Sequence, residues 1–138
     1  MENQSFALNQ AIRPSFNLLR LIYGVVPIVA GLDKFTNFLT DWEQYLHPGI
    51  ANMLPFSPHT FMIIVGIIEI VAGIIVLMKP QVGAFIVSAW LVLIALQLLA
   101  GGHFLDVAVR DLVMAIGAFT LGRISSLISK PHTYERNA

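Results

Sequence analysis

Three charged residues interrupt a segment that is otherwise apolar enough to lie in lipid. In FLDVAVRDLVMAIGAF, residues 104–119, they are Asp106, Arg110 and Asp111. A charge in the hydrocarbon region of a membrane is costly unless another group pairs with it. A carboxyl group beside basic residues can supply protons, and a guanidinium can orient a carbonyl oxygen or an anion. The pattern therefore favours an intramembrane polar cluster that binds a small lipophilic or anionic ligand.

Helical stripes in two other apolar segments carry further members of this cluster. Residues of the first stripe recur at steps of four, three, four and three: Arg20, Gly24, Pro27, Gly31 and Lys34. The second stripe holds Gly66, Glu69 and Gly73. Both are expected to face the protein interior, because residues at these spacings share a helix face and glycines let a neighbouring backbone approach. We predict that four glycines mediate helix packing: Gly24, Gly31, Gly66 and Gly73.

A third stripe runs into residues 104–119 and consists of His103, Asp106, Arg110 and Gly117. We predict one polar cluster from the three stripes and their neighbours: Lys34, Glu69, His103, Asp106, Arg110 and Asp111. The ion pairs within the cluster stay open. Arg110 has three candidate partners: Asp106, Asp111 or Glu69. Lys34 has two: Glu69 or Asp106. A purely architectural cluster is the alternative, since buried ion pairs also fix helix register. No catalytic residue is assigned, and no metal site is predicted.

Four apolar segments must position this cluster. They run from about residue 16 to 35, 61 to 78, 82 to 100 and 104 to 127. Each is long enough to cross a hydrocarbon core of about 30 Å as a helix. The links KPQ and GGH are short, which makes the second, third and fourth helices antiparallel neighbours. The sequence predicts an all-α fold, an integral membrane four-helix bundle that forms a single transmembrane domain over residues 1–138.

The connection between the first two segments, residues 36–60, predicts a short interfacial helical loop. Thr40 followed three residues later by Glu43 is typical of a capping box, and apolar residues recur at helical spacing after it. A His-Pro-Gly sequence interrupts the run, so one or two short turns are expected at the membrane surface. We expect Trp42 and Tyr45 at headgroup depth. The alternative is a polar loop with incidental aromatic residues.

Composition also indicates a membrane protein, because 57% of the 138 residues are hydrophobic and 12% are charged. Eight basic and eight acidic residues cancel, so the net charge suggests no nucleic-acid partner, and the lipid bilayer is the expected one. The chain has no cysteine. Disulfides, thiol catalysis and cysteine-based metal centres are therefore excluded within it.

Basic residues are distributed unevenly between the two sides of the predicted bundle. The side that includes both termini carries six: Arg13, Arg20, Lys79, Arg123, Lys130 and Arg136. The other side carries Lys34, and Arg110 if it is counted. This asymmetry predicts that both termini are cytoplasmic and that the loop with Trp42 is outside. Arg20 and Arg123 are expected to extend toward the cytoplasmic headgroups.

The segments RLIYGVVPIVAGLDKF, GIIEIVAGIIVL and GHFLDVAVRDLVMAIGAF resemble the DoxX-like family of small four-helix membrane proteins, and the similarity covers most of the chain. Ten residues carry it: Arg20, Gly24, Gly31, Lys34, Gly66, Glu69, Gly73, Asp106, Arg110 and Asp111. The resemblance implies a multi-pass protein of the bacterial inner membrane with a link to redox metabolism. Some members are similar to the membrane subunit of a thiosulfate:quinone oxidoreductase. The branches that handle thiols carry cysteines, which this chain lacks.

The resemblance and the polar cluster together predict a redox-associated membrane subunit that binds a small lipophilic or anionic ligand, with quinone as the candidate. The sequence shows no intrinsic cofactor or electron carrier, so an oxidoreductase would need a soluble or membrane redox partner, or direct transfer from substrate to quinone. Whether the chain is an enzyme stays open. A non-catalytic scaffold that binds a partner protein is the alternative. A carrier or channel is less favoured, because four helices without an inverted repeat would need to form a homo-oligomer.

Overall fold

The structure is a computed structural model and describes residues 2–129. These residues form five α-helices and one 3-10 helix, η1, in this order: α1 (Glu2–Asp33), η1 (Trp42–Tyr45), α2 (Pro48–Met53), α3 (Pro58–Met78), α4 (Pro80–Gly101) and α5 (Leu105–Ser129). Lys130 and Arg136, which contributed to the predicted orientation, lie outside the described residues.

Four of the described helices are long and apolar enough to cross a membrane: α1, α3, α4 and α5. The mean hydropathy of their most apolar stretches ranges from 1.5 to 2.9. Many of their large apolar side chains are exposed on the outside of the bundle, where lipid tails are a suitable environment. The protein is therefore a multi-pass membrane protein, and the predicted all-α four-helix membrane bundle is confirmed.

The first helix begins at Glu2, not near residue 16 as predicted. The prediction followed the apolar run, but the polar turns before it are also helical, and Ile12 packs with Phe16 against the core. Pro14 lies inside this helix without ending it. A proline removes one backbone donor, and its neighbours here continue the helix through packing.

The helices associate as two antiparallel pairs. In the first pair, α1 lies along α3, and the glycine stripes of the two helices face each other. A Cβ atom on Gly66 would lie 2.7 Å from the carbonyl oxygen of Gly31, and one on Gly31 would meet the carbonyl oxygen of Gly66. Gly24 and Gly73 contact each other in the same reciprocal way. The two backbones thus touch at two places seven residues apart on each helix.

The second pair consists of α4 and α5, which meet through short side chains. Their buried residues include five alanines: Ala84, Ala95, Ala108, Ala115 and Ala118. The hydroxyl of Ser88 on α4 donates to the carbonyl oxygen of Ala115 on α5 at 2.8 Å. Contacts between α3 and α4 join the two pairs, and the fully buried Val76 and Leu121 belong to the core between them.

The chain between α1 and α3 folds at one end of the bundle. We call this end the loop end: α1 and α4 finish there, and α3 and α5 begin there. The two short helices confirm the helical turns expected from the sequence, but the predicted capping box is wrong. Asp41 is the N-cap of η1 and accepts from the backbone N–H of Glu43, while Thr40 accepts from the side chain of Gln44. A carboxylate adjacent to the first helical residue outcompetes a hydroxyl one position earlier.

A glutamine of α4 anchors this connection to the bundle. The amide nitrogen of Gln97 donates to the carbonyl oxygen of Tyr45 at 2.6 Å, and its amide oxygen accepts from the backbone N–H of His47 at 2.8 Å. The ring of Tyr45 also packs on that of Phe104, with 4.6 Å between centroids. These contacts turn η1 toward the helices.

The two aromatic residues of η1 therefore turn toward the bundle, and their expected headgroup depth stays a prediction. Trp42 and Tyr45 are partly buried, because each finds polar or aromatic partners on the neighbouring helices. Other apolar residues of the connection project outward, with Phe38 87% exposed and Met53 85% exposed. Phe38 and Met53 are therefore apolar side chains that the rest of the described chain leaves largely uncovered.

A candidate intramembrane ion-pair site

Lys34 and Glu69 form a buried ion pair between α1 and α3. The Lys34 Nζ lies 2.7 Å from Glu69 Oε2, and the two residues are only 4% and 8% exposed. Side chains lean toward the N-terminus of their own helix, so in an antiparallel pair they lean toward each other. The close approach of the backbones at Gly31 and Gly66 brings the two charges within reach.

Both tryptophans of the chain contact this ion pair. The Lys34 Nζ lies 3.8 Å from the ring centroid of Trp42, which is a cation–π contact. The indole N–H of Trp90 donates to Glu69 Oε1 at a long 3.4 Å. A desolvated cation–π contact can contribute about 2 kcal/mol. The two charged groups therefore contact aromatic rings as well as each other.

Asp33 holds the ring of Trp42 in place over the lysine. Its carboxylate accepts hydrogen bonds from the indole N–H of Trp42 at 2.8 Å and from the backbone N–H of Leu39 at 2.9 Å. The hydroxyl of Thr36 and the backbone N–H of Phe38 also donate to it, each at 3.1 Å. A carboxylate with this many donors is well satisfied without a basic partner. Asp33 thus organises the turn that follows α1.

Asp111 is the third charged member of the site. It is buried on α5, within electrostatic range of Lys34, Glu69 and its own neighbour Arg110. Among the described residues, no hydrogen bond ends on its carboxyl group. Every fully enclosed side-chain nitrogen or oxygen in that part of the chain has a hydrogen-bond partner. The Asp111 oxygens, which have none, therefore keep a small accessible surface although the residue is only 8% exposed.

The sequence analysis expected the stripe of His103, Asp106 and Arg110 to face the interior. In the structure it does not. All three residues are exposed, and Arg110 makes no ion pair with any described carboxylate. The inner face of α5 is occupied by alanines, which let α4 approach closely, and Asp111 shares that face. Residues one position apart differ by about 100° around a helix, so Arg110 points away when Asp111 points in.

At the other end of the bundle, Arg20 has a specific partner. It lies on the same stripe of α1 as Lys34, and its guanidinium donates two hydrogen bonds to the carbonyl oxygen of Leu77. That carbonyl belongs to the last turn of α3, where backbone acceptors lack helical partners. Arg20 therefore ties α1 to the end of α3, in addition to its expected position near the headgroups. Arg123 is exposed.

The structure thus brings together Lys34, Glu69 and Asp111, and it leaves out His103, Asp106 and Arg110. Sequence reasoning did not identify Trp90, since a tryptophan within a long apolar run gives no signal of a polar contact. No group of three or more histidine or acidic side chains in the described residues converges as metal ligands would. The site offers one ammonium, two carboxyl groups and two indole rings. Comparisons with protein-family models, with curated proteins and with solved structures find nothing that matches this chain.

Proposed function

We propose that this protein is a redox-associated membrane subunit that binds a quinone at the site formed by Lys34, Glu69 and Asp111. The observation that carries the proposal is the carboxyl group of Asp111. It is buried beside an ion pair, its oxygens are not fully enclosed, and no described group donates a hydrogen bond to it. A polar group in this position is costly in lipid unless it has a role or a partner.

The chemistry of a quinone suits this site. Its reduction takes up two electrons and two protons, and its carbonyl oxygens accept hydrogen bonds. In its protonated form, Asp111 donates such a bond and is a proton source for the oxygen that it contacts. The Lys34–Glu69 pair keeps a fixed dipole beside it, and the indole rings of Trp42 and Trp90 are flat apolar surfaces suited to stacking. Electrons come from a soluble or membrane partner that holds a flavin or haem.

Support for a DoxX-like identity comes from where the resembling residues lie. Four of them are the glycines that form the contact between α1 and α3, and three form the charged site. A family pattern of small residues and charges is expected to mark helix contacts and intramembrane sites in this way. A location in the bacterial inner membrane is proposed from the resemblance, and cytoplasmic termini are proposed from the distribution of basic residues.

Substitution of Asp111 by valine tests the ligand site, because it removes the hydrogen-bond donor and leaves the Lys34–Glu69 pair intact. A hydrogen bond between neutral groups is worth about 0.5–1.5 kcal/mol, so quinone retention in mild detergent should fall roughly two- to tenfold. The thermal stability of the purified variant should change little. The measurement is paired, with quinone quantified in the lipid extract and unfolding followed on the same preparation. Lys79→Gln, an exposed residue at the opposite end of the bundle, is the matched control and should retain quinone normally.

Two outcomes would contradict this function. If retention falls only in proportion to stability across Asp111→Val, Glu69→Gln and Lys34→Met, the cluster is architectural. If the wild-type protein copurifies with a stoichiometric protein and no quinone, the scaffold alternative is favoured instead.

The proposed orientation has its own test, which the absence of native cysteine makes simple. Gln44 is exposed at the loop end of the bundle, so Gln44→Cys should react with a membrane-impermeant maleimide supplied to the periplasm of intact inner membranes. Lys79→Cys, exposed between α3 and α4 at the opposite end, should react only after the membrane is permeabilised. The reverse pattern of labelling would show that the termini are periplasmic.

A further inference from the structure

A continuous stripe of α5 is exposed along almost the whole helix. Its residues recur at alternating steps of three and four, and none is covered by the rest of the described chain: Asp106, Val109, Val113, Ile116, Thr120, Arg123 and Leu127. Exposure of apolar residues is ordinary in a membrane helix. The exposed charges in the first turns of α5 are not: Asp106 lies on this stripe and Arg110 lies beside it, and lipid tails satisfy neither charge.

Asp106 and Arg110 are the charges that matter here. They are four residues apart, which is about 6 Å along the helix axis. Both are exposed, and they do not form an ion pair with each other in the described part of the chain. Because side chains lean toward the N-terminus of their helix, the guanidinium of Arg110 extends to the depth of Asp106. One α5 therefore presents a carboxylate and a guanidinium at the same depth.

This arrangement is complementary to itself. In a dimer with its two-fold axis along the membrane normal, the two α5 helices run parallel, and equal depths meet. Asp106 of one copy then faces Arg110 of the other, and the symmetry supplies the same pair a second time. Below these pairs, the exposed Val109, Val113 and Ile116 follow the spacing of a parallel helix contact.

We infer that the exposed stripe of α5 is the contact surface for a second copy of this chain, held by reciprocal Asp106–Arg110 pairs. The inference does not depend on the quinone proposal, because the stripe faces away from Lys34, Glu69 and Asp111. A second copy is favoured over a different partner because it supplies both opposite charges. Its Arg110 faces Asp106 of the first copy, and its Asp106 faces Arg110.

Disulfide cross-linking in native membranes locates the contact. Val113 is 63% exposed on the stripe, whereas Ile67 on α3 and Leu93 on α4 are 51% and 59% exposed on other faces. Oxidation of Val113→Cys should give a cross-linked dimer, and Ile67→Cys and Leu93→Cys should give none above the level of random collision. Equal cross-linking at all three positions, or none at Val113→Cys, would overturn the inference.

Charge reversal distinguishes pairing between subunits from contact with headgroups or pairing within one helix. In the Val113→Cys background, Asp106→Arg makes both charges positive, and Arg110→Asp makes both negative. Each variant alone should lose most of the cross-linked dimer, about a tenfold fall for a loss of about 1.4 kcal/mol. When the two variants are coexpressed with different tags, the mixed dimer should regain the wild-type level, because each reversed charge meets its opposite in the other subunit.

Recovery in the mixed dimer cannot arise from pairing within one helix, since each chain then carries two like charges. Insertion of each variant is checked by its yield in the membrane fraction, and the mixed dimer itself shows that both chains fold. If the two variants inserted normally but failed to cross-link with each other, the Asp106–Arg110 contact between subunits would be excluded. Unchanged cross-linking in the separate variants would exclude it as well.

Discussion

Replacing Lys34 with methionine is expected to lower the free energy of unfolding by about 3–5 kcal/mol, the usual cost of removing one partner from a buried ion pair. The substitution leaves Glu69 charged and buried, with the carboxyl group of Asp111 nearby. It also removes the cation that contacts the ring of Trp42. Denaturant or thermal unfolding of the purified protein in one detergent measures the effect, and Lys79→Gln should unfold as the wild type does.

The double variant Lys34→Met, Glu69→Met separates two contributions to the free energy of unfolding. One is the destabilisation by a buried charge without a partner, and the other is the net stabilisation by the ion pair. Apolar residues in place of both charges should recover most of the lost stability, because the desolvation cost of the pair disappears along with its attraction. Quinone retention should stay low in the double variant if the pair positions the ligand. A single variant that loses less than about 1 kcal/mol would behave like an exposed pair, and the site would then be accessible to water.

Alanine at Gly31 is expected to destabilise the protein by about 1–3 kcal/mol, the range for overpacking a close contact. Its Cβ atom would meet the carbonyl oxygen of Gly66 and lie 2.8 Å from a side-chain carbon of Ile70. The first of these neighbours is backbone, so the two helices must separate. Leucine at the same position should prevent stable packing of α1 on α3, and it should also weaken the Lys34–Glu69 pair one turn away.

Gly101→Ala is the matched control for this prediction. A Cβ atom there would lie 3.5 Å from the ring of His47, which is ordinary contact, and its backbone is helical. Alanine is the better helix former, so stability should be unchanged or slightly higher. Equal losses at both positions would show that glycine is needed for reasons other than the close contact of α1 with α3. Unfolding curves of the two variants and the wild type in the same detergent decide between these outcomes.

The interior face of α1 could be predicted from the sequence because two kinds of residue agreed on it. Gly24 and Gly31 allow a neighbouring backbone to approach, and Lys34 needs a partner for its charge. All three lie on one stripe, so that stripe was predicted to face the interior. The same agreement on α3 predicted that Glu69 faces the bundle. Four long apolar segments likewise determined the fold class, since few alternatives to a membrane helix exist for them.

The face of α5 was predicted wrongly because its charges lie near a helix end. In the first turns of a helix, a charged side chain such as Arg110 can extend along the outside of the bundle toward another chain, so it need not turn inward. The inner face is marked by alanines such as Ala108 and Ala115, which sequence patterns barely distinguish from other small apolar residues. Trp90 and the inward turn of Trp42 depend on contacts between distant segments, and no local pattern encodes those.

The pairing of Lys34 with Glu69 has a consequence for how the chain enters the membrane during synthesis. Helix α1 is made first, and the partner for its charged, glycine-lined stripe lies on a helix that ends only at Met78. At roughly 5–20 residues per second, α3 is complete about 2–9 s after α1. During that interval the stripe has neither a counter-charge nor a packing surface from its own chain. The C-terminal half of α1 therefore depends on α3, which is translated later, for stable insertion.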